Sequence, residues 1–137
     1  MKVHVGNFWS KAPNGCRKVS IARSTPPGHN CLLAWELAPG YPLLKDYKAG
    51  TVSWAEYEMR YLEGIAESLE SCGQISPLIE VQVIEYLKQI QTKYGVEEIM
   101  LCCWEKRKSV EERDSKPCHR DIIYRMLPDD MKGESIE

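Results

Sequence analysis

The sequence predicts an α/β fold, a single small domain with a short, mostly parallel sheet covered by helices, from three observations. A continuous apolar run over 99–104, IMLCCW, reads as a strand buried on both faces. Two long stretches before it repeat apolar side chains at helical spacing. A third helical stretch follows across a polar loop, and helix, strand, loop, helix is the order in which parallel strands are joined by crossovers.

The elements are justified in chain order. Val3 to Val5 is expected to form a short strand, and Lys18 to Arg23, with Val19 and Ile21 alternating, another. Pro26, Pro27 and Gly28 then impose an irregular loop, because proline fixes φ and cannot donate to a ladder. After a turn at Pro39-Gly40, Pro42 to Lys48 allows one or two helical turns. Ser53 to Glu56 reads as a capping box, with the Ser53 hydroxyl facing the Glu56 amide and the Glu56 side chain reaching back. Trp54, Tyr57, Tyr61, Ile65 and Leu69 follow as one stripe, closed by Gly73. Ser76-Pro77 is expected to open the next helix, with Pro77 at its first position and a stripe of Ile79, Val83, Leu87, Ile90 and Tyr94 up to Gly95. KRKSVEERDSKP reads as a polar loop, and Cys118 starts a last helix carrying Ile122, Ile123, Met126 and Leu127. Residues 1–128 are expected to form the domain, and the acidic tail 129–137 to fray.

Composition limits the function. The chain of 137 residues has 43% hydrophobic and 28% charged residues, the balance of a globular domain. No apolar run approaches the ~20 residues that cross a bilayer, and no export signal precedes the first strand, so a cytoplasmic protein without a membrane partner is expected. The six cysteines form no CxxC pair, and a reducing compartment favours free thiols over bridges. The net charge of -2 argues against a surface built wholly for nucleic acid. Charge is uneven, however: 106–125 holds seven Lys and Arg against four acids.

Ligands of parallel α/β sheets sit beyond the carboxyl ends of strands, beside helix N-termini. The 99–104 strand delivers Cys103 and Glu105 to that edge, and the next helix begins there with Cys118, His119 and Arg120. A cation in a first helical turn opposes the helix dipole, and such local violations mark functional positions. The same surroundings favour a thiolate at Cys118 and an anion beside it.

At these residues the sequence resembles a known family. LCCWEK, a loop, then CHR and an apolar helix resemble the LLCYE…CHR signature of the domain of unknown function 488 family. VSIARSTPP is similar to that family's SIS-R-x-x-P segment, and ELAPGYPLLKDYKAGTVSWAEYEMRY to its LAP…LL-x-x-Y-K-x-G…Y-x-x-x-Y segment, so the resemblance spans roughly 17–127. It implies a compact α/β fold and brings no established reaction. By motif, Cys103, Glu105, Cys118, His119 and Arg120 carry over, with Arg23 as a more distant member. The loop before Cys118 is longer and more charged than the family's, and Pro117 stands where an aromatic is common.

Several chemistries fit these residues. Cys118 can be a nucleophilic thiolate, although the CxxxxxR loop of cysteine phosphatases is absent. Cys103, Glu105, Cys118 and His119 are four donors of the kinds zinc takes, but their spacing matches no standard pattern. Arg120 can instead be the fork of a phosphate or carboxylate pocket. Each residue also has a structural reading: Cys103 as a buried strand cysteine, Glu105 as a partner of Arg120. The leading expectation is an enzyme, or former enzyme, acting on a phosphate-bearing small molecule or nucleotide. Cys118, His119 and Glu105 would be its catalytic residues and Arg120, Arg23 and Cys103 its anion- and substrate-binding ones, with no cofactor and no metal. The alternative is a non-catalytic module that binds a nucleotide, nucleic acid or a protein through the basic 106–125 segment.

Overall fold

The computed structural model describes residues 1–74 and 76–137. It is an α/β domain built on five parallel strands: β1 (Lys2–Asn7), β2 (Cys16–Ser20), β3 (Leu32–Leu33), β4 (Glu98–Cys103) and β5 (Lys132–Ile136). Their order across the sheet is β3-β2-β4-β1-β5. Strand β4, the apolar run, is central and pairs with β1 on one side and β2 on the other.

Side chains alternate across β4. Ile99 and Leu101 join Val3, Val5 and Val19 in one apolar cluster, while Met100 and Cys102 point the other way, onto Phe8 and Ala22. The first cluster is the main core, closed by α1 (Tyr41–Lys48), α2 (Trp54–Ser71), α3 (Ile79–Tyr94) and α5 (His119–Met126). The opposite face has only a small cluster.

Local chemistry explains the helix ends. Ser53 Oγ accepts from the Glu56 amide at 3.1 Å, one half of the expected capping box. Along α2, Tyr57, Tyr61, Ile65 and Leu69 are buried as their spacing requires. Burying one large apolar side chain is worth about 1.5–3 kcal/mol, so this stripe fixes the face that α2 presents to the core. Helix α3 begins at Ile79, two residues later than the Pro77 start; the Leu78 amide instead donates to Ser76 Oγ at 3.2 Å. Gly95 ends α3 in the left-handed region, at φ 64°. Among the described residues, no helix is long and apolar enough to cross a membrane.

Two expectations are corrected. The loop between β4 and α5 contains a short helix, α4 (Val110–Ser115), because Ser109 Oγ caps the Glu112 amide at 3.1 Å. The 129–137 tail does not fray: its Lys132–Ile136 segment adds β5 to the free edge of β1. Two glycines permit that docking. A Cβ on Gly133 would stand 2.5 Å from His4 Nδ1, and one on Gly6 would stand 2.5 Å from the Ile136 carbonyl oxygen. The His4 ring then secures the strand, with Nδ1 accepting from the Glu134 amide at 2.9 Å and Nε2 facing Glu98 at 3.3 Å.

Candidate functional site

The carboxyl edge of the sheet, between β2 and β4, gathers most of the expected residues. Cys103 is the last residue of β4, and Cys118 is the N-cap of α5. Their sulfurs lie 2.9 Å apart, so the two arms of the motif converge. His119 Nδ1 is 3.5 Å from Cys118 Sγ, and Nε2 is 2.7 Å from the Ile21 carbonyl just after β2. A carbonyl only accepts, so Nε2 carries a proton and donates to it, while Nδ1 faces the sulfur. Tyr61 packs its ring edge on His119 and fixes the imidazole plane.

The two thiols are not equivalent. Burial and the Cys118 sulfur push Cys103 well above the ordinary thiol range, so it remains protonated and donates. Burial alone would raise Cys118 too. The hydrogen bond from Cys103, the Arg120 guanidinium and the Arg120 amide at the helix start outweigh that and lower it. The two thiols are thus pushed in opposite directions, Cys118 down and Cys103 up.

Arg120 does not stand where a fork for a solvent-borne anion would. It is fully buried, donating from one terminal nitrogen to Cys103 Sγ at 2.7 Å and the Glu105 carbonyl at 2.9 Å, and from the other to Glu137 Oε2 at 2.8 Å. The expectation for Glu105 is corrected likewise. Its main-chain oxygen holds Arg120, and the carboxylate partner of Arg120 is Glu137. Glu137 also binds Arg107 at 2.9 Å, and Arg107 grips Asp121 through both terminal nitrogens at 2.6 and 3.0 Å. Asp121 accepts from the Cys118 amide at 2.9 Å and so fixes the start of α5. Burial would raise the Asp121 carboxyl, but Arg107 and that amide hold it below the usual carboxylate range.

This cluster also changes the reading of the basic segment. Of its seven cations, Arg107, Arg113, Lys116, Arg120 and Arg125 stand in ion pairs, and Arg107 and Arg120 are buried. Lys106 lies over the Trp9 ring, 3.9 Å from its centroid. The segment therefore offers little of the free basic face that nucleic acid needs.

A cavity of about 550 Å³ opens directly above the sulfurs, a size usual for small-molecule sites. Cys103, Cys118 and His119 reach its floor, and Tyr41, Tyr47, Tyr57 and Trp104 supply aromatic walls. Its charged lining residues are Arg23, Lys48, Lys116 and Glu105, three cations to one acid. Arg23 is fixed at the rim: its Nε donates to the Pro39 carbonyl at 2.9 Å, and its guanidinium faces Tyr41. Of the residues singled out in the sequence, Cys103, Glu105, Cys118, His119 and Arg23 line the cavity, and Arg120 does not. Sequence reasoning missed Lys48, Lys116 and the structural Glu137. Lys48 lay among other surface cations, Lys116 figured only as one of the seven cations of the basic segment, and Glu137, just past β5, has no local signal linking it to Arg120.

Among the described residues, Cys103, Cys118 and His119 are the one group of donors close enough to hold a metal ion, with ligand atoms within 4.8 Å of one another. Tetrahedral zinc separates two sulfur ligands by about 3.8 Å. The observed 2.9 Å is about 0.9 Å shorter than that, and the Arg120 guanidinium lies 2.7 Å from Cys103 Sγ. Compared with known proteins, the chain matches no family model, no curated relative and no solved structure.

Proposed function

We propose that the protein is an enzyme that binds a small molecule bearing a planar group and a phosphate, such as a nucleotide, and acts on it through Cys118. The observation that carries this reading is a thiolate-forming cysteine on the floor of a cavity whose walls are aromatic and whose rim is cationic. The tyrosines and Trp104 suit a planar ring, and Arg23, Lys48 and Lys116 suit an anion. Cys118 is the nucleophile, and His119 Nδ1 takes or returns the proton at its sulfur. Arg120 is a positioning residue that keeps negative charge on the sulfurs. The six free cysteines support a reducing, cytoplasmic setting. Membership of the domain of unknown function 488 family is part of the same proposal, resting on the motif residues that gather at this edge.

Calorimetric titration with adenine nucleotides and an aryl phosphate, followed by turnover assays, tests the reading. Wild-type protein should bind at least one of them, and Lys116→Ala should weaken that binding roughly 5- to 10-fold, on the order of 1 kcal/mol. Cys118→Ser should keep the binding and lose turnover. Absence of binding by the wild type, or full turnover by Cys118→Ser, would sink it.

A further inference from the structure

We infer that Cys118 and Cys103 are a dithiol redox couple that reduces small anionic disulfides, with Cys118 attacking and Cys103 resolving. The inference rests on the reading that Cys118 is the reactive group of the cavity, but not on a phosphate ligand.

The geometry carries it. The two sulfurs are 2.9 Å apart, and a disulfide needs about 2.05 Å, so bond formation requires under 1 Å of closure. Both side chains come from rigid positions, a strand end and a helix N-cap, and both border the same cavity. Cys102, adjacent in sequence, points through the opposite face of the sheet and cannot substitute. Arg120 contacts Cys103 at 2.7 Å and Cys118 at 3.8 Å, so one fixed cation serves whichever sulfur is negative. The unequal protonation of the pair agrees: the lowered thiol is the one at the helix start, and the raised one is its donor. The cationic rim selects disulfides that carry carboxylates, and the cavity has room for one half of a disulfide built from two tripeptides.

The step balances. The Cys118 thiolate attacks one sulfur of RSSR, forming Cys118–S–S–R and releasing RS⁻. Cys103 gives its proton to that departing thiolate and attacks the Cys118 sulfur. The internal disulfide forms and a second RS⁻ leaves, so RSSR gains two electrons and the protein loses two. A thiol reductant of the cell returns the couple to its starting state.

The test uses the whole reduced protein with glutathione disulfide, acid quenching, alkylation and peptide mass mapping. The wild type should lose two hydrogens and yield linked peptides containing Cys103 and Cys118. Cys103→Ser should stop at one glutathione adduct on Cys118, and Cys118→Ser should acquire none on Cys103. A wild-type protein that stays reduced, links a different pair, or reacts only after treatment with a chelator would overturn the inference. If Cys103→Ser does not fold, Cys103→Ala replaces it, and the wild-type linkage alone still decides. Because glutathione disulfide carries no phosphate, nucleotide binding and disulfide reduction succeed or fail separately.

Discussion

The N-terminus of α5 has two sides of opposite character. On one, Cys118 and His119 turn toward a cavity and keep reactive atoms within its reach. On the other, the buried Arg120 and Arg107 pair with the half-buried Asp121 and Glu137, so that every charge has a partner. Consecutive residues of one triplet thus divide between chemistry and architecture. The difference shows that the cations of this segment work mainly inside the protein. Arg120 holds Cys103 Sγ from inside, while Arg23, Lys48 and Lys116 line the cavity.

The comparison can be broken most forcefully at the buried side. Arg120→Ala removes the donor to Cys103 and leaves Glu137 with Arg107 and Arg113 alone, and losing one partner of a buried pair costs up to about 3–5 kcal/mol. Chemical denaturation should register a loss of that order, and a change under 1 kcal/mol would mean the cluster is not structural. Asp121→Asn should cost somewhat less, about 2–3 kcal/mol, since the amide can still accept from Cys118 but no longer balances Arg107.

Acid provides a milder version of the same break. The folded-state pKa of Asp121 is depressed, so its contribution is present above the unfolded value of about 3.9 and is lost as pH falls through the folded one. The melting temperature should therefore hold from neutral pH to about 4 and then decline, and Asp121→Asn should flatten part of that decline. An identical decline in the variant would assign acid sensitivity to other groups. On the cavity side the expected effects on stability are small. Cys118→Ser should shift the unfolding free energy by no more than about 1 kcal/mol while abolishing reaction with thiol reagents at that position. Lys116→Ala, at an exposed ion pair with Glu112, should change stability by under about 0.5 kcal/mol and be felt in anion affinity alone.

Much of the fold was legible because its signals are local. The apolar run of β4, the stripe of α2 with its Ser53 cap, and Gly95 closing α3 each announce themselves within a few residues. The rule that ligands meet at the carboxyl edge of a parallel sheet made a meeting of Cys103 with Cys118 possible but could not establish it, and the 2.9 Å between their sulfurs does. Strand β3 escaped notice because two residues carry no period. Strand β5 escaped because its docking depends on what lies opposite: Gly133 against His4 and Gly6 against Ile136, contacts about 130 residues apart. Helix α4 did have a signal, Ser109 three residues before Glu112, but it was submerged in charge. The inward turn of Arg120 was not readable at all, since its acid, Glu137, lies 17 residues away across the sheet edge.

The central claim is that Cys118 is an activated thiolate at the cavity floor. Its most direct test is the rate of iodoacetamide alkylation at Cys118 against pH, followed by peptide mapping to separate it from the other five cysteines. The account predicts a midpoint clearly below the ~8.5 of a free thiol, with Cys103 unreactive throughout. A midpoint at or above that value, or faster alkylation of Cys103 than of Cys118, would contradict it.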